Sequence, residues 1–405
     1  MFISRLLCVF LTLPLASSVF SMSARLPQSV PYSAPKPLAR ITPETLLVKS
    51  LFEIQHRQLD SAMNSIEALL KINPNFRLAQ LIKGDLLLAR AQSISTLGNA
   101  ADAPVARVDE LREEAKMRLQ RYQQETPSQR IPEYLLQMQP EQKYAVIVDT
   151  SKSRLYLYQN ISGEPRYITD YYITIGKNGA DKTREGDQKT PLGVYFVTAD
   201  LSKNRLSDFY GSGAFPISYP NEWDKRQGRN GHGIWLHGTP SDTYSRPPKA
   251  SNGCVVLPNS DMSELAEMLQ IGLTPVIISK DIHWVSRDQW RVERDALATQ
   301  FENWRNDWES RDAERYLSHY STYFSNSEQT FDAWASQKRQ VNITKSWIKI
   351  HLSRVSMFRY PGQENLAVVT FDQDYQSNNL SNQIRKRQYW MLENNRWKIV
   401  YEGAV

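Results

Sequence analysis

The stretch Ser251-Asn252-Gly253-Cys254-Val255-Val256-Leu257 decides how this 405-residue chain is read. It turns at a glycine and runs into a short apolar strand, and its thiol is one of two in the chain. The other, Cys8, lies in the apolar run from Leu6 to Leu15, after Arg5 and before the small residues Ser21, Ser23 and Ala24. A positive charge, a short apolar core and small residues in that order describe a removable export signal, so residues 1–24 are expected to be cut away. The core is too short to cross a bilayer, which takes roughly 20 apolar residues. Cys8 also comes too early to be a lipid-attachment site. The exported chain keeps one thiol, which cannot form an internal disulfide and is exposed to an oxidising compartment. A lone Cys retained there, with a His at a suitable place, is a candidate nucleophile.

That His stands seventeen residues upstream, in Gly233-Ile234-Trp235-Leu236-His237-Gly238. His237 ends an expected strand and Cys254 begins another, and two adjacent strands can bring the pair together. An imidazole beside a thiol takes its proton, which turns a weak nucleophile into an effective one. The Gly238 carbonyl can face the free ring nitrogen and fix the tautomer. Gly253 lets the backbone turn so that amide N–H groups point at a developing oxyanion. The competing readings are a buried structural thiol and a core histidine. His232, His237 and Cys254 lack a further ligand at metal-binding spacing, so no metal and no cofactor is expected. His232 is expected on the rim of the site, as a substrate contact.

The chain is long enough for two or three domains. Lys and Arg number 49 against 43 Asp and Glu, a net charge of +6. The basic residues are spread rather than clustered, and no nucleic-acid module is present. Residues 25–40 carry Pro27, Pro31, Pro35 and Pro37, an extended lead-in. Leu59, Ala62, Ile66, Leu69 and Leu70 recur at helical spacing, Asn73-Pro74-Asn75 breaks the run, and Phe76, Ala79, Ile82 and Leu86 resume it. This predicts a helical hairpin of tetratricopeptide type, within a helical N-terminal region over 25–140. One such unit cannot bury both faces, so it needs a cover. The cover is the helix expected around 105–124, the next domain, or a second copy of the chain in a homodimer.

Short strands then dominate residues 141–282: Tyr144 to Asp149, Arg154 to Tyr158, Tyr171 to Ile175, Val194 to Thr198, Ile234 to Leu236, Val255 to Leu257 and Pro275 to Ser279. One helix, about Asp261 to Leu269, interrupts them. Residues 290–405 read as two helices followed by long strands, Trp347 to Phe358, Leu366 to Tyr375, Arg387 to Leu392 and Trp397 to Tyr401. Helices followed by a meander predict an α+β cone with a curved sheet. The fold class is therefore multidomain α+β.

His237-Gly238 followed by Ser251-Asn252-Gly253-Cys254 resembles the paired motifs of the YkuD-type L,D-transpeptidases of bacterial cell walls. The run Glu185-Gly186-Asp187-Gln188-Lys189-Thr190-Pro191-Leu192-Gly193 resembles that family's Thr-Pro-x-Gly segment. Three motifs in order cover about a third of the chain. The closing run Asn395-Arg396-Trp397-Lys398-Ile399-Val400-Tyr401 resembles the last strand of the nuclear-transport-factor-2-like (NTF2-like) fold. The family resemblance implies that Cys254 attacks the carbonyl of the third residue of a peptidoglycan stem peptide and that a terminal D-alanine leaves. It also implies His237 as base and then acid, Ser251 and Asn252 lining the site, and a periplasmic enzyme. An amine acceptor gives an L,D-transpeptidase. Water gives an L,D-carboxypeptidase, or an amidase-type hydrolase on the same bond. A non-catalytic peptidoglycan-binding protein is the third reading, and an envelope protein is a further partner. Two positions depart from the family pattern. Asn252 stands where the family usually has His, and Val256 where it often has a carboxylate-gripping Arg. Such variants resemble a subgroup that includes cell-shape-determining L,D-carboxypeptidases with a helical N-terminal region and an NTF2-like C-terminal domain.

Overall fold

The computed structural model describes residues 42–405, apart from residues 95, 100–102, 202–203, 205, 327 and 364. The expected export signal, with Cys8, and the proline-rich lead-in lie outside the described residues.

Four helices come first: α1 (Pro43–Gln55), α2 (Leu59–Ile72), α3 (Arg77–Leu88) and α4 (Val105–Gln123). Thr42 caps α1 by accepting from the Thr45 amide, and Pro43 sits in the first turn, where its missing N–H costs no hydrogen bond. The expected apolar positions Ala62, Ile66 and Leu69 of α2 and Phe76, Ala79, Ile82 and Leu86 at and along α3 share one core. Leu47 of α1, Ala115 of α4 and Tyr244 of the following β domain close it. Two of the three expected covers, the later helix and the next domain, therefore lie on the hairpin. Charge reinforces the join. Buried Arg118 of α4 lies 3.8 Å over the Tyr172 ring and donates to Glu114 and Glu44. Arg121 grips the Asp170 carboxylate at 2.9 and 3.0 Å.

The β domain follows as β1 (Ile131–Pro132), β2 (Leu135–Gln137), β3 (Tyr144–Asp149), β4 (Arg154–Ile161), β5 (Glu164–Tyr172), β6 (Ile175–Gly176), β7 (Gly193–Phe196), β8 (Ala214–Pro216), α5 (Glu222–Arg226), β9 (Trp235–His237), β10 (Lys249–Ser251), β11 (Val255–Val256), α6 (Asn259–Ala266), β12 (Pro275–Ser279) and β13 (Trp284–Val285). Its main sheet has the order β5-β4-β3-β12-β7, and a smaller sheet has the order β11-β9-β8. The central strand β3 is apolar on both faces because both are covered. Val146 and Val148 point into the core that also holds Leu236 and Val255 of the smaller sheet and Leu257 just after it. Ala145 and Ile147 point the other way, into a core shared with the C-terminal domain.

That last domain holds α7 (Arg287–Glu309), α8 (Ala313–Leu317), α9 (Phe331–Ile343), β14 (Ile348–Arg359), β15 (Leu366–Ser377), β16 (Leu380–Glu393) and β17 (Arg396–Ala404). Its meander is used on both faces. Ala367, Val369, Phe371, Trp390 and Ile399 face the helices, with Phe301, Trp304 and Tyr320, inside the cone. Leu366, Val368, Tyr389 and Val400 face the main sheet of the β domain. The open end of the cone forms a cavity lined by Trp308, Tyr316, Lys338, Lys345, Tyr375 and Lys386.

One segment differs from the sequence expectation. Residues 131–137 fall within the region read as helical, yet β1 pairs with β13 and β2 adds an edge to the C-terminal sheet beside β14. Strands of two and three residues are too short to show a period. Their partners lie more than a hundred residues downstream, and Trp290 of α7 locks the join by donating to the Leu135 carbonyl at 2.5 Å. Among the described residues no helix is long and apolar enough to cross a membrane.

Candidate active site

The smaller sheet positions the thiol and the imidazole. β9 and β11 run parallel with Val255 opposite Leu236 and Val256 opposite His237. Cys254 enters this ladder one residue ahead, beside Trp235. Cys254 and His237 are thus diagonal neighbours on one face, since residues two apart along a strand point the same way. His237 is buried and Cys254 half-buried. The Cys254 Sγ rests 3.4 Å from the Gly233 carbonyl. The His237 Nδ1 lies 2.7 Å from the Gly238 carbonyl. A carbonyl only accepts, so Nδ1 carries the proton and Nε2 presents a lone pair.

The motif glycines have steric reasons. A Cβ on Gly238 would lie 2.2 Å from Asn259 Oδ1 and 2.9 Å from the Ser212 amide. Asn259 is needed there. Its Oδ1 accepts from the Ser212 and Thr239 amides and its Nδ2 donates to the Thr239 carbonyl, which pins the turn after His237. Gly253 has φ +124°, and a Cβ would sit 2.7 Å from the Lys189 carbonyl. Thr190 ties the two motifs together, because its hydroxyl donates to the Gly253 carbonyl and accepts from the Gly176 amide. Gly193 is required by two tyrosines: a Cβ there would meet the Tyr360 Oη of the C-terminal domain at 2.5 Å and the Tyr195 Oη of its own domain at 2.7 Å.

The other sequence-predicted residues sit in different places. Ser251 is buried and its hydroxyl serves the turn, donating to the Cys254 carbonyl at 2.7 Å and accepting from the Gly253 amide at 3.1 Å. It does not face open space, and the Gly253 amide is already engaged. Asn252 is exposed and accepts from Gln188. His232 is exposed on the rim, 3.5 Å from Glu185. Val256 is buried in the ladder, with backbone bonds to Thr174 in both directions. No group of three or more His, Cys, Asp or Glu gathers around a metal-sized space among the described residues.

Electrostatics keep both reacting groups neutral at rest. Burial lowers the His237 pKa to about 4, and the Arg246 charge pushes the same way. Burial raises the Cys254 thiol, opposed by a backbone hydrogen bond from Trp235 and by the charges of Arg246 and Lys182. Neither cation was legible as a site residue. Lys182 is buried and held by Asp187 at 2.8 Å. Arg246 comes from the loop before β10 and lies 4.9 Å from the Phe209 ring. Phe209 and Tyr210 also wall the imidazole, at 5.8 and 5.2 Å between ring centres. The only sequence signal for this loop was its Ser-Arg-Pro-Pro stiffness.

The fold and these motifs can be set against known proteins. Residues 143–278 match the YkuD L,D-transpeptidase catalytic domain. Residues 296–403 match the Cds6 C-terminal NTF2-like domain. Bd1075 of Bdellovibrio bacteriovorus is 31% identical with a TM-score of 0.60, over 68% of this chain and 98% of its own. The chain belongs to the YkuD L,D-transpeptidase family. The helical cell shape determining protein Pgp2 of Campylobacter jejuni is 28% identical with a TM-score of 0.58, over 67% of this chain and 95% of its own. No curated protein sequence matches. The four N-terminal helices lie outside both family matches. The YkuD domain makes this an enzyme of the L,D-transpeptidase or L,D-carboxypeptidase type. Its substrate class is the peptidoglycan stem peptide, and its place is the cell envelope.

Proposed function

We propose that the mature chain is a periplasmic cysteine enzyme that removes the terminal D-residue of peptidoglycan stem peptides and so shapes the cell. The observation that carries this is the His237–Gly238 hydrogen bond, which leaves an unprotonated Nε2 on the face that Cys254 shares. In the first half-reaction the thiol turns from the Gly233 carbonyl toward Nε2, a tightening common when substrate arrives. Nε2 takes the Sγ proton as Sγ bonds to the carbonyl carbon of the third stem residue. The carbonyl oxygen gains the negative charge. Since the Gly253 amide serves Ser251, we assign the oxyanion to the Cys254 amide, turned by the glycine before it. Collapse breaks the C–N bond, and the protonated Nε2 gives its proton to the leaving amine. Water then attacks the thioester, Nε2 takes its proton, and the thiol leaves.

Hydrolysis is favoured over transfer by the two departures, Asn252 and Val256, and by the likeness to a cell shape determining protein across both domains. The test is incubation of the mature protein with purified tetrapeptide muropeptides, with products read by mass spectrometry. Shortened monomers dependent on Cys254 support hydrolysis, and dimers replace it with transpeptidation. Products that persist in Cys254→Ala refute the thioester route.

A further inference from the structure

Arg246 is fixed near the reacting pair with no ion-pair partner among the described residues, Asp242 of the same loop acting on its charge only from beyond ion-pair distance. Its backbone is held from below: its carbonyl accepts from Tyr172 Oη at 2.9 Å and Thr174 Oγ1 at 3.0 Å. Pro247 and Pro248 stiffen the chain after it. Before it, Ser245 donates to the buried Glu114 of α4 at 2.6 Å, and Tyr244 packs 4.4 Å from Phe76 at the start of α3. The N-terminal helices therefore position this loop. Phe209 covers the guanidinium on one side and stands 5.8 Å from the His237 ring on the other. The Arg246 charge acts on both Cys254 and His237. Among the described residues no carboxylate lies within ion-pair distance of it, whereas Lys182 is already taken by Asp187. A half-buried guanidinium with five donors and, among the described residues, no ion-pair partner suits a substrate carboxylate.

We propose that Arg246 binds the free C-terminal carboxylate of the stem peptide and thereby restricts cleavage to the bond before a terminal residue. This rests on the stem-peptide reading above. The terminal carboxylate lies one residue beyond the scissile carbonyl, so a cation next to the nucleophile reaches it in the same pose. The buried Val256, where relatives often carry Arg, leaves that task to a loop held by the N-terminal helices.

The test uses the full mature chain and three tetrapeptide substrates: the free acid, its C-terminal carboxamide, and the free acid carrying an amide on the diaminopimelate side-chain carboxyl. Wild type is expected to cleave the free acid about 10- to 100-fold better than the terminal amide, the range for losing a charge-assisted hydrogen bond. Arg246→Gln is expected to lose the same factor on the free acid, mainly in KM, and to treat acid and terminal amide alike. Arg246→Lys, which keeps charge without the fork, should fall between them. If Arg246→Gln keeps the wild-type acid-to-amide ratio, the proposal fails while the function stands. If Arg246 instead discriminates against the side-chain amide, the terminal-carboxylate assignment is overturned. A wild-type chain that cleaves none of the three sinks the stem-peptide reading and this proposal with it.

Discussion

The burial of His237 makes a sharp statement about Cys254: the pair rests as thiol and neutral imidazole, not as an ion pair. The imidazole titrates at about 4. A free thiol titrates near 8.5, and burial moves Cys254 upward from its ordinary value. Burial thus acts on the two groups in opposite senses, making the imidazole a poor holder of the proton and the thiol a better one than a free thiol. The neutral pair therefore wins. The perturbation is pH, and the assay is the second-order rate of iodoacetamide alkylation of Cys254 from pH 5 to 10. The rate should rise roughly tenfold per unit between pH 6 and 8, following the thiolate fraction. His237→Gln should leave the rate at pH 7 within about threefold, since no ion pair is lost. A rate independent of pH between 5 and 7, collapsing in His237→Gln, would refute the reasoning. Because neutral His237 is the base, the acid limb of kcat/KM should fall near pH 4.

Other outcomes follow from the same geometry. Gly238→Ala drives a Cβ to 2.2 Å from Asn259 Oδ1, so kcat/KM should drop about 100-fold and stability by about 1–3 kcal/mol, read by kinetics and urea melts. Gly193→Ala pushes against Tyr360 across the domain join and against Tyr195 beside it; denaturation should show a loss of about 1–3 kcal/mol, relieved only in part by Tyr360→Phe, since the Tyr195 hydroxyl stays. Buried His237 binds its proton less readily folded, at about 4, than its ordinary 6.5, so the unfolded chain holds more protons between those values. Its contribution of about 3 kcal/mol is fully present above pH 6.5 and is lost as pH falls toward 4. A wild-type chain should then lose more stability over that window than His237→Gln.

Much of this was legible because it was local. The run Tyr144 to Asp149 was readable as a short strand, and the glycines beside His237 and Cys254 were readable as places where the backbone must turn without a side chain in the way. The C-terminal meander was equally readable, and Leu366 to Phe371 has no polar face because two domains share it. What stayed hidden was long-range. β1 and β2 are too short for periodicity and are defined only by partners across the fold. Ser251 was expected to line the site, but its hydroxyl is consumed by the turn that presents Cys254. Arg246 sits in a proline-stiffened loop whose direction is set by Tyr172, Thr174 and the helices α3 and α4, and no spacing rule connects those to the Cys motif.

The central claim is that Cys254 forms a thioester with a stem peptide, and rapid quench with intact-mass analysis tests it most directly. Mixing the mature chain with a tetrapeptide muropeptide should give an adduct equal to the substrate minus its terminal residue, carried on the peptide containing Cys254 and decaying with water to the shortened product. Full turnover with no such adduct, or turnover undiminished in Cys254→Ala, would contradict it.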